Sequence, residues 1–308
     1  MPEPVAENQE NEKQGVLVLI NPASGSRFRR KKASVTRVEG VLDPARFQVQ
    51  AIVPPSAAMA GYLIRQGLEN NKRLIGIAGG DGSVNLAASL LAHKDASLVI
   101  IPNGSGNGLA RHLHIPLDPA KALKLIEDGK QASIDTGLIN GRRFVSLCGI
   151  GFDALVAKRF KSDRRRGFLS YLRIALIEYF RYQPKTYHLI LDGREVITEA
   201  LFIVFANADQ FGYNTFIAPH ASVTDGTLDV CIFRKVPLVK APLVISQIFR
   251  GQIDRSHYAE VMKAKHIQVI SRKGRYVNID GEPVKMKRKL DITIDPASLN
   301  VFLPAKAM

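Results

Sequence analysis

Gly79-Gly80-Asp81-Gly82-Ser83-Val84-Asn85 is the stretch on which the reading of this chain turns. It follows the apolar run Leu74-Ile75-Gly76-Ile77-Ala78, which has the pattern of a buried strand. It leads into a helical pattern with Val84, Leu86, Ala87, Leu90 and Leu91 on one face. Three glycines in four residues at a strand-to-helix junction leave the backbone bare. Amide N–H groups can then approach an anion, and the helix N-terminus adds its partial positive charge. Asp81 is the one acid in this anion-friendly turn. A carboxylate beside phosphates makes sense when it holds a cation, which points to a nucleotide with Mg²⁺. A plain tight loop would also explain the glycines, so the turn needs companions.

Upstream, Val16-Leu17-Val18-Leu19-Ile20 reads as a buried parallel strand. It ends in Asn21-Pro22-Ala23-Ser24-Gly25-Ser26, a loop offering small hydroxyls and amides. A helix with Ala33, Val35, Val38, Val41 and Leu42 inside, a strand Phe47 to Val53 and a helix near Ala57 to Glu69 come next. Downstream, the strand Leu98 to Ile101 ends in a second glycine-rich loop, Pro102-Asn103-Gly104-Ser105-Gly106-Asn107-Gly108. Strands alternating with helices imply a parallel, Rossmann-like sheet with right-handed crossovers. Three polar loops at the carboxyl ends of its strands would line one crevice, where such sheets bind ligands. No Walker A pattern occurs, and the GxGxG within residues 104–108 is weak evidence for a dinucleotide fingerprint.

After about residue 133 the pattern changes. Asn140-Gly141, Asp192-Gly193 and Asp280-Gly281 are two-residue hairpin signals between alternating runs. Ala200 to Ala206, Leu228 to Phe233, Ile267 to Ile270 and Leu290 to Ile294 add strands, and Phe168 to Phe180 is an apolar-rich helix. The fold class expected is an α/β nucleotide-binding domain followed by a mostly antiparallel β-sandwich or barrel. Residues 1–14 are expected to be a disordered tail, 15–133 the α/β domain and 134–304 the second domain, with substrate in the cleft between them.

The net charge is +15, concentrated in Arg27 to Lys32, Lys158 to Arg166 and Lys285 to Lys289. Such a field favours anionic partners. The clusters carry few aromatics and no zinc-finger or RRM-type signature, so nucleic acid is not the expected partner. No run approaches the roughly 18 apolar residues of a membrane span. The two cysteines, Cys148 and Cys231, match neither a zinc spacing nor a disulfide framework and suit a reducing, cytoplasmic setting. In Arg111-His112-Leu113-His114 the histidines diverge on a short helix and lack a third ligand.

Taken together, Asn21-Pro22-x-Ser24-Gly25, Gly79-Gly80-Asp81-Gly82-Ser83-x-Asn85 and Pro102-x-Gly104-Ser105-x-Asn107 resemble the diacylglycerol kinase catalytic domain. The closest likeness is to bacterial lipid kinases of the YegS-like type. Ile134-Asp135-Thr136-Gly137, Asp225-Gly226-Thr227-Leu228-Asp229 and Asp280-Gly281-Glu282 complete the series in order. The resemblance implies ATP contacts from Asn21, Pro22, Ala23, Ser24, Gly25, Gly79, Gly80, Asp81, Gly82, Ser83, Val84, Asn85 and Ser105. It implies that Glu282 takes the proton of a lipid hydroxyl and that Asp81 and Asp135 belong to the acidic network steadying Mg²⁺. Ser222, Asp225 and Thr227 match a structural Mg²⁺ site, the first and last through backbone carbonyls. A basic residue at Arg111 recurs in the lipid kinases, near the lipid or its membrane.

The chain departs from that pattern at Gly108, where many relatives carry an acid, and at Pro54, where a nucleotide-contacting Thr is often found. The Gly-Ser-Gly-Asn form also resembles sphingosine kinases. The expected activity is phosphoryl transfer from ATP to diacylglycerol or a related lipid. A long-chain-base kinase, an NAD kinase-like enzyme and a silent nucleotide- or lipid-binding regulator stay open, as does a homodimer. Docking would be peripheral, on an anionic inner-membrane surface, through basic clusters such as Arg27 to Lys32.

Overall fold

The computed structural model describes residues 13–22, 31–163, 168–270 and 275–306. Its first half runs β1 (Gln14–Ile20), α1 (Lys31–Glu39), β2 (Phe47–Ile52), α2 (Ala57–Glu69), β3 (Leu74–Gly79), α3 (Asp81–Leu91) and β4 (Ser97–Pro102). The four strands pair in parallel in the order β2-β1-β3-β4. Alternate residues of β1 face opposite cores: Leu17 and Leu19 join Ile75, Ile77, Leu98 and Ile100, while Val16, Val18 and Ile20 join Val99 and Ile101. Both faces are covered by helices, which is why these strands are continuously apolar in sequence. Each fully buried Val, Leu or Ile contributes about 1.5–3 kcal/mol. The Ser56 hydroxyl caps α2 by accepting the Met59 amide.

The short helices α4 (Gly108–His112), α5 (Pro119–Leu123) and α6 (Leu125–Asp128) lead into β5 (Lys130–Ile139), β6 (Arg142–Phe144), β7 (Leu147–Gly151), α7 (Phe152–Ser162) and α8 (Phe168–Arg181). Next come β8 (Lys185–Leu191), β9 (Arg194–Ala200), β10 (Phe202–Ala206), β11 (Leu228–Phe233) and α9 (Ala241–Phe249). The chain closes with β12 (Ala259–Ala264), β13 (His266–Ile270), β14 (Arg275–Ile279), β15 (Glu282–Met286) and β16 (Lys289–Leu303). One antiparallel sheet has the order β12-β11-β10-β7-β14-β15. The second layer is β16-β13-β8-β9 with β5 and β6, and it continues into the parallel sheet through β16 and β4. Ile150, Phe205, Val230 and Val277 from one layer pack with Leu189, Val269, Leu290 and Ile292 from the other. The fold class read from the sequence holds, and of sandwich and barrel it is the sandwich.

All three hairpins form. Their central pairs, Asn140-Gly141, Asp192-Gly193 and Asp280-Gly281, have positive φ at both positions, as a primed turn requires. The run read as one strand from Ala200 to Ala206 breaks at Leu201. Its amide donates to the Phe233 carbonyl, and the chain changes sheet there. The strand read as Leu290 to Ile294 extends to Leu303, with a register shift between Asp295 and Leu299.

One buried acid marks how α7 and α8 are held. Asp153 accepts a 2.9 Å hydrogen bond from Asn278 Nδ2 and another from the Tyr171 hydroxyl, joining α7, β14 and α8. Burial pushes its pKa up to about 6, against the pull of those bonds. Because the folded value lies above the unfolded one, the penalty is absent below pH 4 and complete above about pH 6, where it reaches roughly 3 kcal/mol. Asp153→Asn is therefore expected to gain stability relative to the parent as pH rises from 4 to 7. Thermal melts across that range check it.

Candidate functional site

The glycine turn lies at the carboxyl end of β3, as its motif implies, and the loop of residues 103–107 packs on it backbone to backbone. A Cβ on Gly104 would lie 2.5 Å from the Gly80 Cα, and one on Gly80 3.2 Å from the Gly104 Cα. Neither position has room for a side chain. Asp81 opens α3 and reaches across to the second loop, accepting the Gly108 amide at 2.7 Å and the Asn107 amide at 3.1 Å. Desolvation and the charge of Asp280 push the Asp81 pKa up to about 6, opposed by those amides. Arg111 holds the same loop by donating to the Gly106 carbonyl at 3.1 Å, and to Asn214 Oδ1. Gly108 stands where a side chain would lie 3.0 Å from the Gln210 carbonyl, so the missing acid there is accompanied by a close backbone approach.

The first loop joins this arrangement through Asn21, whose Nδ2 donates to Ser83 Oγ at 2.8 Å. Pro22 and Ser105 are exposed nearby in sequence to these contacts, while Ala23, Ser24 and Gly25 lie outside the described residues. Two of the residues named for the nucleotide turn their side chains to the protein itself. Val84 is buried with Ala87, Ala88 and Leu91 on the inner face of α3. Asn85 is a strut: its Nδ2 donates to the Arg143 carbonyl at 2.9 Å and to Asp280 Oδ2 at 2.7 Å.

Asp280, which the sequence presents as a turn residue, is the hub of the site. Besides Asn85, its carboxylate accepts the amides of Val145, Ser146 and Leu147 at 2.8 to 2.9 Å. The hairpin it anchors carries Glu282 to the rim. A Cβ placed on Gly82 would stand 3.8 Å from Glu282 Oε1, so the carboxylate lies directly beside the glycine turn, with room for little more than a methyl group between them. Its Oε2 accepts from Lys161 of α7 at 2.6 Å, with both side chains more than half exposed.

The acids named with Glu282 have these surroundings. Asp135 is buried and tied to other elements, accepting the Gly226 amide at 2.8 Å and the Ala297 amide at 2.7 Å. It braces the loop that carries Ser222, Asp225 and Thr227, while the carboxylate that acts on Asp81 is Asp280. His112 pairs with Asp209 at 3.0 Å, and among the described residues no group of three or more His, Cys, Asp or Glu could hold a metal. No described helix is long and apolar enough to cross a membrane.

Residues 15–139 match the model of the diacylglycerol kinase catalytic domain, and residues 146–303 that of the YegS C-terminal NAD kinase beta sandwich-like domain. The chain is 31% identical over 300 residues to a diacylglycerol kinase of Mycobacterium tuberculosis (strain ATCC 25618 / H37Rv), covering 94% of this chain and 95% of that one. It is 32% identical over 231 residues to a Pseudomonas aeruginosa (strain UCBPP-PA14) protein named "Probable lipid kinase YegS-like", covering 74% and 75%. A crystal structure of a diacylglycerol kinase from Bacillus anthracis strain Sterne superposes with a TM-score of 0.74 at 20% identity, over 96% of this chain and 99% of that one. At that identity the likeness speaks for the fold.

Removing the hub tests this geometry. Asp280→Ala strands three buried backbone donors and the Asn85 amide, so a loss of roughly 3–5 kcal/mol is expected in urea denaturation. Asp280→Asn, which keeps one acceptor oxygen, should lose less.

Proposed function

Since the chain belongs to the diacylglycerol kinase and YegS-like lipid kinase family and is a lipid kinase, we propose that it transfers the γ-phosphoryl group of ATP to a hydroxyl of diacylglycerol. The observation that carries this reading is the opposition of Glu282 to the glycine turn across Gly82. Phosphates laid against the bare turn would meet the amides at the start of α3 and its dipole, where Gly80 and Gly104 leave no side chain in the way. The lipid hydroxyl would approach from the open side, next to Glu282 Oε1. The carboxylate takes the hydroxyl proton as the oxygen forms its bond to the γ-phosphorus. The bond from that phosphorus to the bridging oxygen breaks, and ADP leaves.

The residues present fit a nucleotide-borne Mg²⁺. Asp81 is a hard oxygen donor at the start of α3, beside the glycine turn. When bound, the ion would offset phosphate charge. Asp81 is the residue of this chain placed to hold it, steadied by the Gly108 and Asn107 amides.

A lipid kinase must also reach its substrate. The outward face of α8 carries Leu169, Leu172, Leu176, Ile177 and Phe180, all exposed, with Arg173 and Arg181 beside them. Helix α8 packs on α7, which carries Lys161 to Glu282 and lies against β14 and β15. An apolar ridge with basic neighbours, one helix from the base, suits shallow insertion into an anionic leaflet. Each Lys or Arg near such a surface adds about 1 kcal/mol. The basic cluster expected to dock, Arg27 to Lys32, lies outside the described side chains.

The substrate is tested with labelled ATP and a panel of diacylglycerol, monoacylglycerol, sphingosine, ceramide and NAD in mixed micelles. Label on diacylglycerol is expected; label confined to sphingosine or to NAD would replace the lipid named here. Glu282→Gln should lower kcat by roughly 10²–10⁴-fold while nucleotide affinity is retained. For docking, Leu172→Glu with Leu176→Glu should abolish co-sedimentation with phosphatidylglycerol vesicles. Turnover of a short-chain, water-soluble diacylglycerol should persist. Unchanged sedimentation would remove α8 from the membrane contact.

A further inference from the structure

The loop of residues 222–227 is the one to which the resemblance assigns a divalent ion. Asp225 is the loop's carboxylate. Its Oδ1 accepts the Thr227 amide at 3.0 Å and the Thr227 hydroxyl at 2.8 Å. Its Oδ2 accepts from Lys263 Nζ at 2.7 Å. The same ammonium is 3.2 Å from Asp229 Oδ2 and 3.4 Å from Thr227 Oγ1. An ammonium has three hydrogens, and here it has three oxygen acceptors.

This placement follows from strand register. Lys263 on β12 stands directly opposite Asp229 on β11 in the antiparallel ladder, so the pair is set by backbone pairing. From there the flexible stem reaches Asp225 at the head of β11. Two carboxylates so close need a shared cation, most of all Asp229, which is buried. A divalent ion bound to Asp225 would have to expel the ammonium or share an oxygen with it against charge repulsion. Asp225, the one side-chain ligand the resemblance implies, is thus filled by Thr227 and by a lysine already in place, which does not fit a metal beside it.

We propose that Lys263 is the resident cation of this loop, its ammonium taking the position of the divalent ion the resemblance implies, so that the loop is held without metal. The consequence reaches β5. The loop it fixes donates the Gly226 amide to Asp135, whose own amide donates to the Val223 carbonyl. The divalent requirement of the reaction then belongs to the nucleotide alone.

The inference does not rest on the identity of the substrate, and its test uses no activity. The full chain, without nucleotide, is melted in EDTA and across a titration of MgCl2 or CaCl2. The parent is expected to show one Tm in all of these. Lys263→Met should melt roughly 5 °C lower in EDTA and recover saturably on addition of either ion. Lys263→Met with Asp225→Asn should lose that recovery, and Lys263→Arg should stay metal-independent. A parent Tm that rises saturably with either ion, with the rise abolished in Asp225→Asn, would overturn the proposal. So would a folded Lys263→Met that ignores both ions. Should Lys263→Met fail to fold, the parent titration decides alone.

Discussion

One buried carboxylate, that of Asp280, fixes where the chemistry can happen. It accepts four N–H bonds, three from the backbone of residues 145–147 and one from Asn85. Those donors belong to the segment entering β7 and to α3, the helix that the glycine turn begins. The acceptor sits at the turn of the β14–β15 hairpin. A single charge therefore sets three elements in mutual register, and Glu282 is two residues further on. Burying such a charge costs several kcal/mol unless its lone pairs are filled, and here they are. The arrangement has a second consequence: the charge of Asp280 is felt by Asp81 and helps to hold its pKa up. The residue that anchors the hairpin of Glu282 thus also acts on Asp81.

The glycines make a second constraint, and it is steric. Gly80 against Gly104, and Gly212 against the Gly106 carbonyl, are backbone contacts too close for a Cβ. They stack two loops and the segment of residues 210–212, leaving only main chain at their junction. Bare amides at the ligand surface and loops packed to each other behind it come from the same lack of side chains. Asp81 spans the stack and ties its carboxylate to the amides that begin α4.

The fold was legible because its signals are local. Continuous apolar runs marked strands covered on both faces, and Asn-Gly or Asp-Gly pairs marked turns whose two positive φ angles few other residues accept. Where the sequence misled, the cause was tertiary. Leu201 looks like the middle of a strand because nothing in its neighbours records that its amide leaves for Phe233. In the site, Glu282 and the glycine turn were readable by motif, and their opposition across Gly82 is a structural finding. Asp280 was hidden by its own turn chemistry, since an Asp before Gly needs no further explanation. Asn85 and Val84 were grouped with the nucleotide contacts because they continue a motif, yet helix geometry turns one toward Asp280 and the other into the core. Asp135 and Lys263 show the same limit: their partners are Gly226, Ala297, Asp225 and Asp229, and each is distant in sequence from its carboxylate or ammonium.

The two halves of the chain share more than a cleft. Strand β16 pairs with β13 at its start and with β4 at its end, and β5 runs beside it from Lys130 to Ile139. A boundary near residue 133 crosses this ladder, so bending the halves apart there would break paired backbone within the continuous sheet. Asp280 resists the same motion from the other side, because α3 belongs to one half and the hairpin to the other. A rigid frame of this kind suits phosphoryl transfer, where positioning supplies much of the catalysis. It also moves the burden of substrate entry outward. Helix α7 joins the frame through the buried Asp153, whereas its Lys161 meets Glu282 at an exposed ion pair, and such pairs are typically worth less than about 1 kcal/mol. Under the transfer proposed above, the contact that would yield to a lipid hydroxyl is this exposed pair, on the helix against which α8 packs.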